Sequence, residues 1–237
     1  MRLQHKNHIR PCAQDYVFYS VNTLLIVLFT LIIAYPLLFV ISASFSAGTA
    51  TMSLSLIPKR FSLAGYEAVL QYKDIWMGYR NSLFYMVCGT ALCLAMTVLM
   101  AYPLSRSDFA GRKVIMLLAM VTMYFSGGLI PSYLLMGNLH LMNTYASMIL
   151  PGLVGTYNMI LIRNYFQSIP QDLEDACMID GAGQFTTFYK IIIPVSTPIL
   201  ATVALWLAVG HWNSWFDVLL YMRNEERICL LYTSDAA

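Results

Sequence analysis

The stretch 173–194, LEDACMIDGAGQFTTFYKIIIP, interrupts a chain that is otherwise strongly apolar. Its first half is acidic and ends at two glycines, Gly181 and Gly183. Acidic residues favour the first turn of a helix, where the helix dipole is positive, and glycine is the residue that most often ends a helix. The stretch therefore predicts a short helix, a tight turn at Gly181 and a second short amphipathic helix that ends at Pro194.

The residues before this stretch predict where its first helix begins. Ser168 and Gln171 have the spacing of a capping box, in which the two side chains close the first turn. A well-capped surface loop is one interpretation of this local pattern. Small residues beside the turn, Ala176 and Ala182, favour the other interpretation, a helix that docks into the groove of a partner.

The composition predicts that lipid surrounds most of the chain. Of 237 residues, 59% are hydrophobic and 11% are charged, and the mean hydropathy is +0.63. Soluble domains carry about 25% charged residues, so this chain has too few charges to cover a globular surface in water. The net charge of +2 is too small to indicate a nucleic-acid partner.

Five stretches without a charged residue predict an all-α integral membrane protein. Each has the length of roughly 17–25 residues that a helix needs to cross the hydrocarbon layer. The first is too long for the apolar part of a signal peptide, so we expect it to be retained. The predicted spans are residues 17–41, 81–104, 114–135, 145–162 and 191–216.

Basic residues predict the orientation of these spans. Two clusters stand out, and they are Arg2, Lys6 and Arg10 near the amino terminus and Arg106, Arg112 and Lys113 between the second and third spans. Because positive residues mark the cytoplasmic side, the amino terminus and the loop 105–113 are predicted to be cytoplasmic. By alternation the loops 42–79 and 137–144 are outside, and the elbow, residues 168–190, faces the cytosol.

The elbow resembles a motif of the permease subunits of binding-protein-dependent ABC importers. That motif is E-A-A-x3-G-x9-I-x-L-P in the loop before the penultimate helix. The matching residues of this chain, with complete spacing, are Asp175, Ala176, Cys177, Gly181, Ile191, Ile192, Ile193 and Pro194. The sequence departs from the motif at three of them, with Asp for Glu at 175, Cys for Ala at 177 and Ile for Leu at 193.

The resemblance extends along most of the chain and points to the carbohydrate-uptake branch. Within this branch it resembles maltose-permease G-type subunits and their Gram-positive oligosaccharide-importer relatives. The stretches that carry it are residues 123–135, 141–152, 163–170 and 208–222. It implies a type I ABC importer permease fold, with a cytoplasmic tail over 1–15, the permease domain over 16–219 and an external segment over 220–237. Family members have a sixth helix, so five spans lead us to expect a truncated or chimeric gene end.

The family implies a multi-pass subunit of an ATP-driven sugar importer in the bacterial plasma membrane. It would form half of the translocation pathway and couple to a separate ATPase through residues 172–194. The implied partners are a second homologous permease subunit, a cytoplasmic ATPase dimer and an extracytoplasmic sugar-binding protein. The sequence has no G-x-x-x-x-G-K followed by Ser or Thr, so ATP and Mg are expected on the ATPase, and no cofactor or metal on this chain.

The resemblance also implies which residues meet the ATPase. Either Glu174 or Asp175 would make the acidic contact of the family. The predicted docking residues are Glu174, Asp175, Ala176, Cys177, Asp180, Gly181, Ala182 and Pro194.

Aromatic and polar residues in the fourth and fifth spans are candidates for the substrate pathway. The candidates are Tyr157, Asn158, Trp212, Asn213, Trp215 and Asp217. An interfacial aromatic belt is the alternative for the tryptophans, and helix–helix hydrogen bonding is the alternative for Tyr157 and Asn158. His211 has no neighbours with metal-ligand spacing, so no metal site is assigned.

The residues leave other function classes open. An importer permease for amino acids or peptides is the first alternative, and a membrane assembly protein that does not transport is the second. A secondary transporter is disfavoured, because none of the five spans carries a charged residue for ion coupling.

Overall fold

The computed structural model describes residues 13–46, 61–223 and 229–230, and most of these residues are helical. The predicted basic tail and most of the predicted external segment, 220–237, lie outside the described residues. Within the described residues the helices are α1 Ala13–Ser44, α2 Ala64–Gln71, α3 Lys73–Ser105, α4 Arg112–Tyr124, α5 Leu129–Asn138, α6 Ala146–Ile149, α7 Thr156–Ser168, α8 Asp172–Ile179, α9 Gln184–Thr187, α10 Ile193–Val195, α11 Thr197–Trp212 and α12 Trp215–Tyr221.

The chain divides into two compact units, residues 1–72 and 73–237. In the first unit α1 offers a span of 31 residues, about 46 Å long at 1.5 Å per residue, which exceeds the hydrocarbon thickness of a bilayer. Its apolar side chains are exposed around the whole helix, as expected where lipid is the solvent. After α1, the rings of Phe45 and Phe61 stack with centroids 5.5 Å apart. Helix α1 covers the whole of the first predicted span, residues 17–41.

The second unit is organised around α3, which packs against α7 and α11. Small residues let α11 approach α3 closely. A Cβ built on Gly89 would lie 2.8 Å from the imidazole ring of His211, and the Cys93 thiol lies 3.6 Å from His211 Nε2. Helix α3 covers the whole of the second predicted span, residues 81–104, as one continuous helix. The largest buried side chains around it include Tyr85, Leu104, Met159, Ile162, Phe166, Ile192 and Val203.

The third and fifth predicted spans are bent pairs instead of straight helices. Helices α4 and α5 meet at 115°, and the segments Gln184–Val195 and Thr197–Trp212 meet at 76°. The first bend contains Gly128 in the left-handed region at φ 85°, which a glycine adopts without steric cost. Over the described residues, two helices are long enough to cross a membrane, or four if each bent pair is one span.

The prediction of one helix over 145–162 is wrong in its continuity. Helix α6 ends at Ile149, a 3₁₀ turn follows over Leu150–Gly152, and α7 begins only at Thr156. Pro151 has no amide hydrogen to donate, and Gly155 is extended, at φ −77° and ψ 115°. The prediction of one helix over 191–216 is also wrong, because the helix is interrupted at residues 213 and 214. Helix α11 stops at Trp212 and α12 starts at Trp215.

Candidate functional site

The elbow contains the tight turn that its glycine predicts. Gly181 has φ 76°, its amide donates to the Met178 carbonyl at 3.0 Å, and the Ala182 amide donates to the Cys177 carbonyl at 2.9 Å. These two bonds form a Schellman motif, which fixes the direction in which the chain leaves a helix. A Cβ on Gly181 would meet no atom within 4 Å, so the backbone conformation, and not space, requires glycine here.

The start of the elbow differs from the predicted capping box. Ser168 is the last residue of α7, and its hydroxyl donates back to the Tyr165 carbonyl at 2.7 Å. Gln171 precedes α8 with helical dihedral angles and makes no side-chain capping bond. The capping box is therefore wrong, because α7 continues far enough to use the serine hydroxyl itself. Backbone carbonyls begin α8 instead, with the Glu174 amide donating to Gln171 at 2.9 Å.

Helix α8 has one buried side and one exposed side. Glu174 is 6% exposed and Cys177 is 8% exposed, and the Cys177 thiol donates to the Leu173 carbonyl at 3.0 Å. On the outer side Ile179 is 86% exposed, and Phe185 just beyond the turn is 81% exposed. Of the predicted docking residues, those that reach the exposed surface are Asp175, Ala176, Asp180, Gly181 and Pro194, with Ala182 half-buried.

A buried ion pair fixes the inner side of α8. The Glu174 carboxylate pairs with the guanidinium of Arg106, the residue that directly follows α3. That guanidinium also lies over the Tyr102 ring, 4.7 Å from its centroid. The Tyr102 ring contacts Phe188, in the π-helical turn Phe188–Ile192 that follows α9, with centroids 4.6 Å apart. Sequence reasoning placed Arg106 and Glu174 on the same side of the membrane but did not pair them.

Side chains from two other helices close the end of α3. We call this region, residues 102–106 with Arg112, Arg163 and Gln167, the α3 junction. The carbonyls at a helix end lack partners within the helix, so each needs a donor from elsewhere. The pKa of Arg163 is lowered below its ordinary value. Burial is the larger cause, and the neighbouring positive charge of Arg112 is the smaller one. The donor-to-acceptor bonds are Ser105 Oγ to Tyr102 at 2.6 Å, Arg163 Nε to Leu104 at 3.0 Å, Gln167 Nε2 to Ser105 at 3.3 Å and Arg112 Nη1 to Arg106 at 3.0 Å.

Comparison with known proteins identifies the family. The sequence is 38% identical over 204 residues to the polygalacturonan/rhamnogalacturonan transport system permease protein YtcP of Bacillus subtilis, covering 85% of this chain and 71% of the relative. The chain belongs to the ABC-importer permeases. The resemblance inferred from the elbow is thereby confirmed, and this permease is a membrane protein.

Further similarities place the permease in the carbohydrate-uptake branch of the family. It is 30% identical over 206 residues to the arabinooligosaccharides transport system permease protein AraQ of Halalkalibacterium halodurans, covering 84% of this chain and 74% of the relative. A crystal structure of a bacterial ABC transporter involved in the import of the acidic polysaccharide alginate matches 95% of the permease and 81% of its own chain, with TM-score 0.91 and 34% identity. This match confirms the all-α importer-permease fold. No protein-family model matches the sequence.

The candidate pathway residues fall into two groups in the permease. Tyr157 on α7 stacks on Trp206 of α11, with centroids 6.2 Å apart and an interplanar angle of 24°. Its neighbour Asn158 is half-buried and packs beside Gly155. Trp206 was not among the predicted residues. The sequence signal for Trp206 is its position in the apolar span 191–216, which follows the span that carries Tyr157.

The second group surrounds the break between α11 and α12. Trp212 lies near Tyr79 of α3, with ring centroids 6.4 Å apart. The Asn213 side chain donates to the Val209 carbonyl at 2.9 Å and so ends α11, which makes it a capping residue in this structure. Trp215 and Asp217 are both exposed on α12. Within the described ranges, no three His, Cys, Asp or Glu side chains converge in a way that would hold a metal ion.

Proposed function

We propose that this permease is one membrane half of an ATP-driven importer of oligosaccharides, and that its elbow docks on a separate ATPase subunit. The observation that carries this proposal is the exposed tip of the elbow. A rigid turn at Gly181 presents Ile179 and Phe185 to the solvent beside the acidic Asp175. Apolar side chains with this degree of exposure, in a loop that also exposes the acids Asp172, Asp175 and Asp180, favour burial against a partner.

The docking surface that we propose is narrower than the sequence motif. Glu174 and Cys177 belong to the side of α8 that packs on the rest of the chain, so they cannot also meet a partner. Asp175 is exposed and stands at the motif's acidic position, and it is therefore the residue that we assign to the acidic contact. Ile179 and Phe185 supply the apolar part of the same surface.

The proposed orientation and partners follow from the charge pattern and the family. The basic loop that contains Arg106 and Arg112 is cytoplasmic, with the amino terminus and the elbow on the same side of a bacterial plasma membrane. A second homologous permease completes the pathway, a cytoplasmic ATPase dimer binds ATP and Mg, and an external binding protein delivers the cargo. Closure of the ATPase dimer moves the elbow and biases the permease toward its outward-open state.

The names of the relatives support an oligosaccharide cargo. They are named for polygalacturonan, arabinooligosaccharide and galactooligosaccharide transport, and they do not favour amino acids or peptides. Aromatic faces with neighbouring carboxylates bind pyranose rings well, since the ring face is apolar and its edge carries hydroxyls. The Tyr157–Trp206 pair and the group of Trp212, Trp215 and Asp217 are therefore the proposed pathway contacts.

Reconstitution tests the proposal. The permease is co-expressed with the second permease and the ATPase of its own operon, and ATPase retention is measured on an affinity-tagged permease. Asp175→Asn and Ile179→Asp are expected to reduce ATPase retention, whereas Asp172→Asn, another exposed acid of α8, is the matched control and retains it. Uptake of labelled oligosaccharides and peptides into proteoliposomes then distinguishes the cargo classes. Full ATPase retention in both Asp175→Asn and Ile179→Asp would refute docking through the elbow.

A further inference from the structure

The inner side of the elbow has a role that the docking surface does not explain. Arg106 and Glu174 are joined across the space between α3 and α8, and the Glu174 side chain is almost fully buried. The Nε and Nη2 atoms of Arg106 are also buried and have no hydrogen-bond partner among the residues that the structure describes. A buried ion pair of this kind is weak evidence for stability, because apolar packing of the same volume often stabilises as well. A role in positioning the two helices explains a charged pair at this site better than a role in stability does.

The geometry shows what the pair would position. Arg106 stands at the end of α3, whose last carbonyls are held by Arg163 and Gln167 of α7 and by Arg112 of α4. Its partner Glu174 lies in the first turn of α8. The ion pair is therefore the charged link between α8 and a junction where three other helices already meet.

A second contact runs parallel to the ion pair. The Tyr102 ring lies under the Arg106 guanidinium and also contacts Phe188, beyond the glycine turn of the elbow. The two short helices of the elbow are thus each held to the same end of α3, α8 through Glu174 and the segment after α9 through Phe188. Because the two points of attachment are separated, they restrict the rotation of the elbow relative to α3 as well as its translation.

We propose that Arg106 and Glu174 are positioning residues that make the elbow and the α3 junction one rigid lever. The pair transmits the displacement of the elbow to α3, the longest helix of the second unit, without touching cargo or ATPase. This inference rests on the proposed docking of the elbow on an ATPase. Loss of the pair is expected to leave docking in place while the movement of α3 no longer follows it.

The first test measures coupling in the full complex in proteoliposomes. In Glu174→Gln, the ATPase is expected to bind and hydrolyse ATP, while oligosaccharide transported per ATP falls at least about fivefold, the lower end of usual coupling effects. The reversed pair, Arg106→Glu with Glu174→Arg, is expected to restore most of this ratio. An apolar pair, Arg106→Met with Glu174→Leu, is expected to fold and stay uncoupled. Lys113→Gln, an exposed basic residue nearby, is the matched control and keeps the wild-type ratio.

The second test needs neither cargo nor ATPase. Spin labels are placed on cysteines introduced at Asp108, in the loop that joins Arg106 to Arg112, and at Asp172 of α8, both exposed. They report the distance between that loop and α8 in the purified permease. The distance distribution is expected to be narrow in the parent protein, broad in Glu174→Gln and narrow again in the reversed pair. A distribution that stays narrow in Glu174→Gln would overturn the proposal.

The two proposals fail in different ways. A wild-type transport ratio in Glu174→Gln, or full recovery by the apolar pair, would overturn the lever while leaving the importer function intact. A parent complex that binds no ATPase through the elbow would overturn the proposed function, and the spin-label distances would still decide whether the pair holds α8 rigidly.

Discussion

Replacing Gly181 with valine isolates the contribution of the backbone turn that orients the elbow. The glycine has φ 76°, and a Cβ at this position would meet no atom within 4 Å, so the substitution introduces no clash. What remains is the cost of the left-handed conformation for a residue with a Cβ, roughly 1–2 kcal/mol. A β-branched side chain fits this region especially poorly. The turn is expected to open and to give up its bonds to Met178 and Cys177.

The assay for this prediction is the affinity of the ATPase for the permease complex in nanodiscs. If docking has to restore the turn, a cost of about 1–2 kcal/mol weakens binding by a factor of roughly 5–30. The thermal unfolding of the membrane-spanning part is expected to be unchanged, because the turn lies at the surface. Expression level and membrane insertion are the accompanying checks on folding.

Two control variants separate the turn from a general sensitivity of the elbow. Gly181→Asn places a residue that tolerates the left-handed region at the same site, and it is expected to bind nearly as well as the parent protein. Gly183→Ser changes the second glycine, which is extended at φ −75° and precedes α9, a position that favours serine. Parent-like affinity in Gly181→Val, or equal losses in the valine and asparagine variants, would refute the reasoning.

Three further changes test the packing and the pathway. Gly89→Ala puts a methyl group 2.8 Å from the His211 ring and is expected to lower the free energy of unfolding by about 1–3 kcal/mol. The double variant Gly89→Ala/His211→Ala is expected to recover part of this loss. An unchanged melting temperature of Gly89→Ala in detergent would contradict the close approach. Arg163→Met leaves the Leu104 carbonyl without its donor, and faster amide exchange at the end of α3 is expected, with a loss of about 1–3 kcal/mol. Tyr157→Ala removes the partner of Trp206 and is expected to raise the half-saturating concentration of oligosaccharide while ATP hydrolysis continues; unaltered uptake kinetics would assign Tyr157 to packing alone.

The features that could be predicted from the sequence are those with local causes. The spans in α1 and α3 follow from long apolar runs, and the turn at Gly181 follows from a glycine placed after an acidic helix. The elbow motif is visible in the sequence because its spacing lies within one short loop. Each of these signals depends on residues that are close together in the chain, so no knowledge of tertiary packing was needed.

The features that the sequence does not predict are the places where a helix is interrupted and the contacts between residues far apart in the chain. Apolar composition measures how many residues lie in lipid but not where a helix is interrupted, so it does not predict the break at Gly155. The Arg106–Glu174 pair joins two separate loops, and sequence spacing does not reveal which acid meets which base. Ser168 is a second example, because its hydroxyl could bond either at the end of α7 or at the start of α8. In the structure it bonds to α7.

The α3 junction has a consequence for the order in which the chain is made. Arg163, which holds the Leu104 carbonyl, lies 59 residues further along the chain, so it leaves the ribosome well after α3 has entered the insertion machinery. Until then the Leu104 carbonyl has only water and lipid headgroups as possible donors. Arg106 and Arg112 by contrast are synthesised with or soon after α3, and by the positive-inside rule their charges are expected to act on its orientation before either side chain has a folded partner. Arg106 and Arg112 would therefore contribute to membrane insertion first and to the contacts at the end of α3 later. Neutralising either of them is expected to alter both.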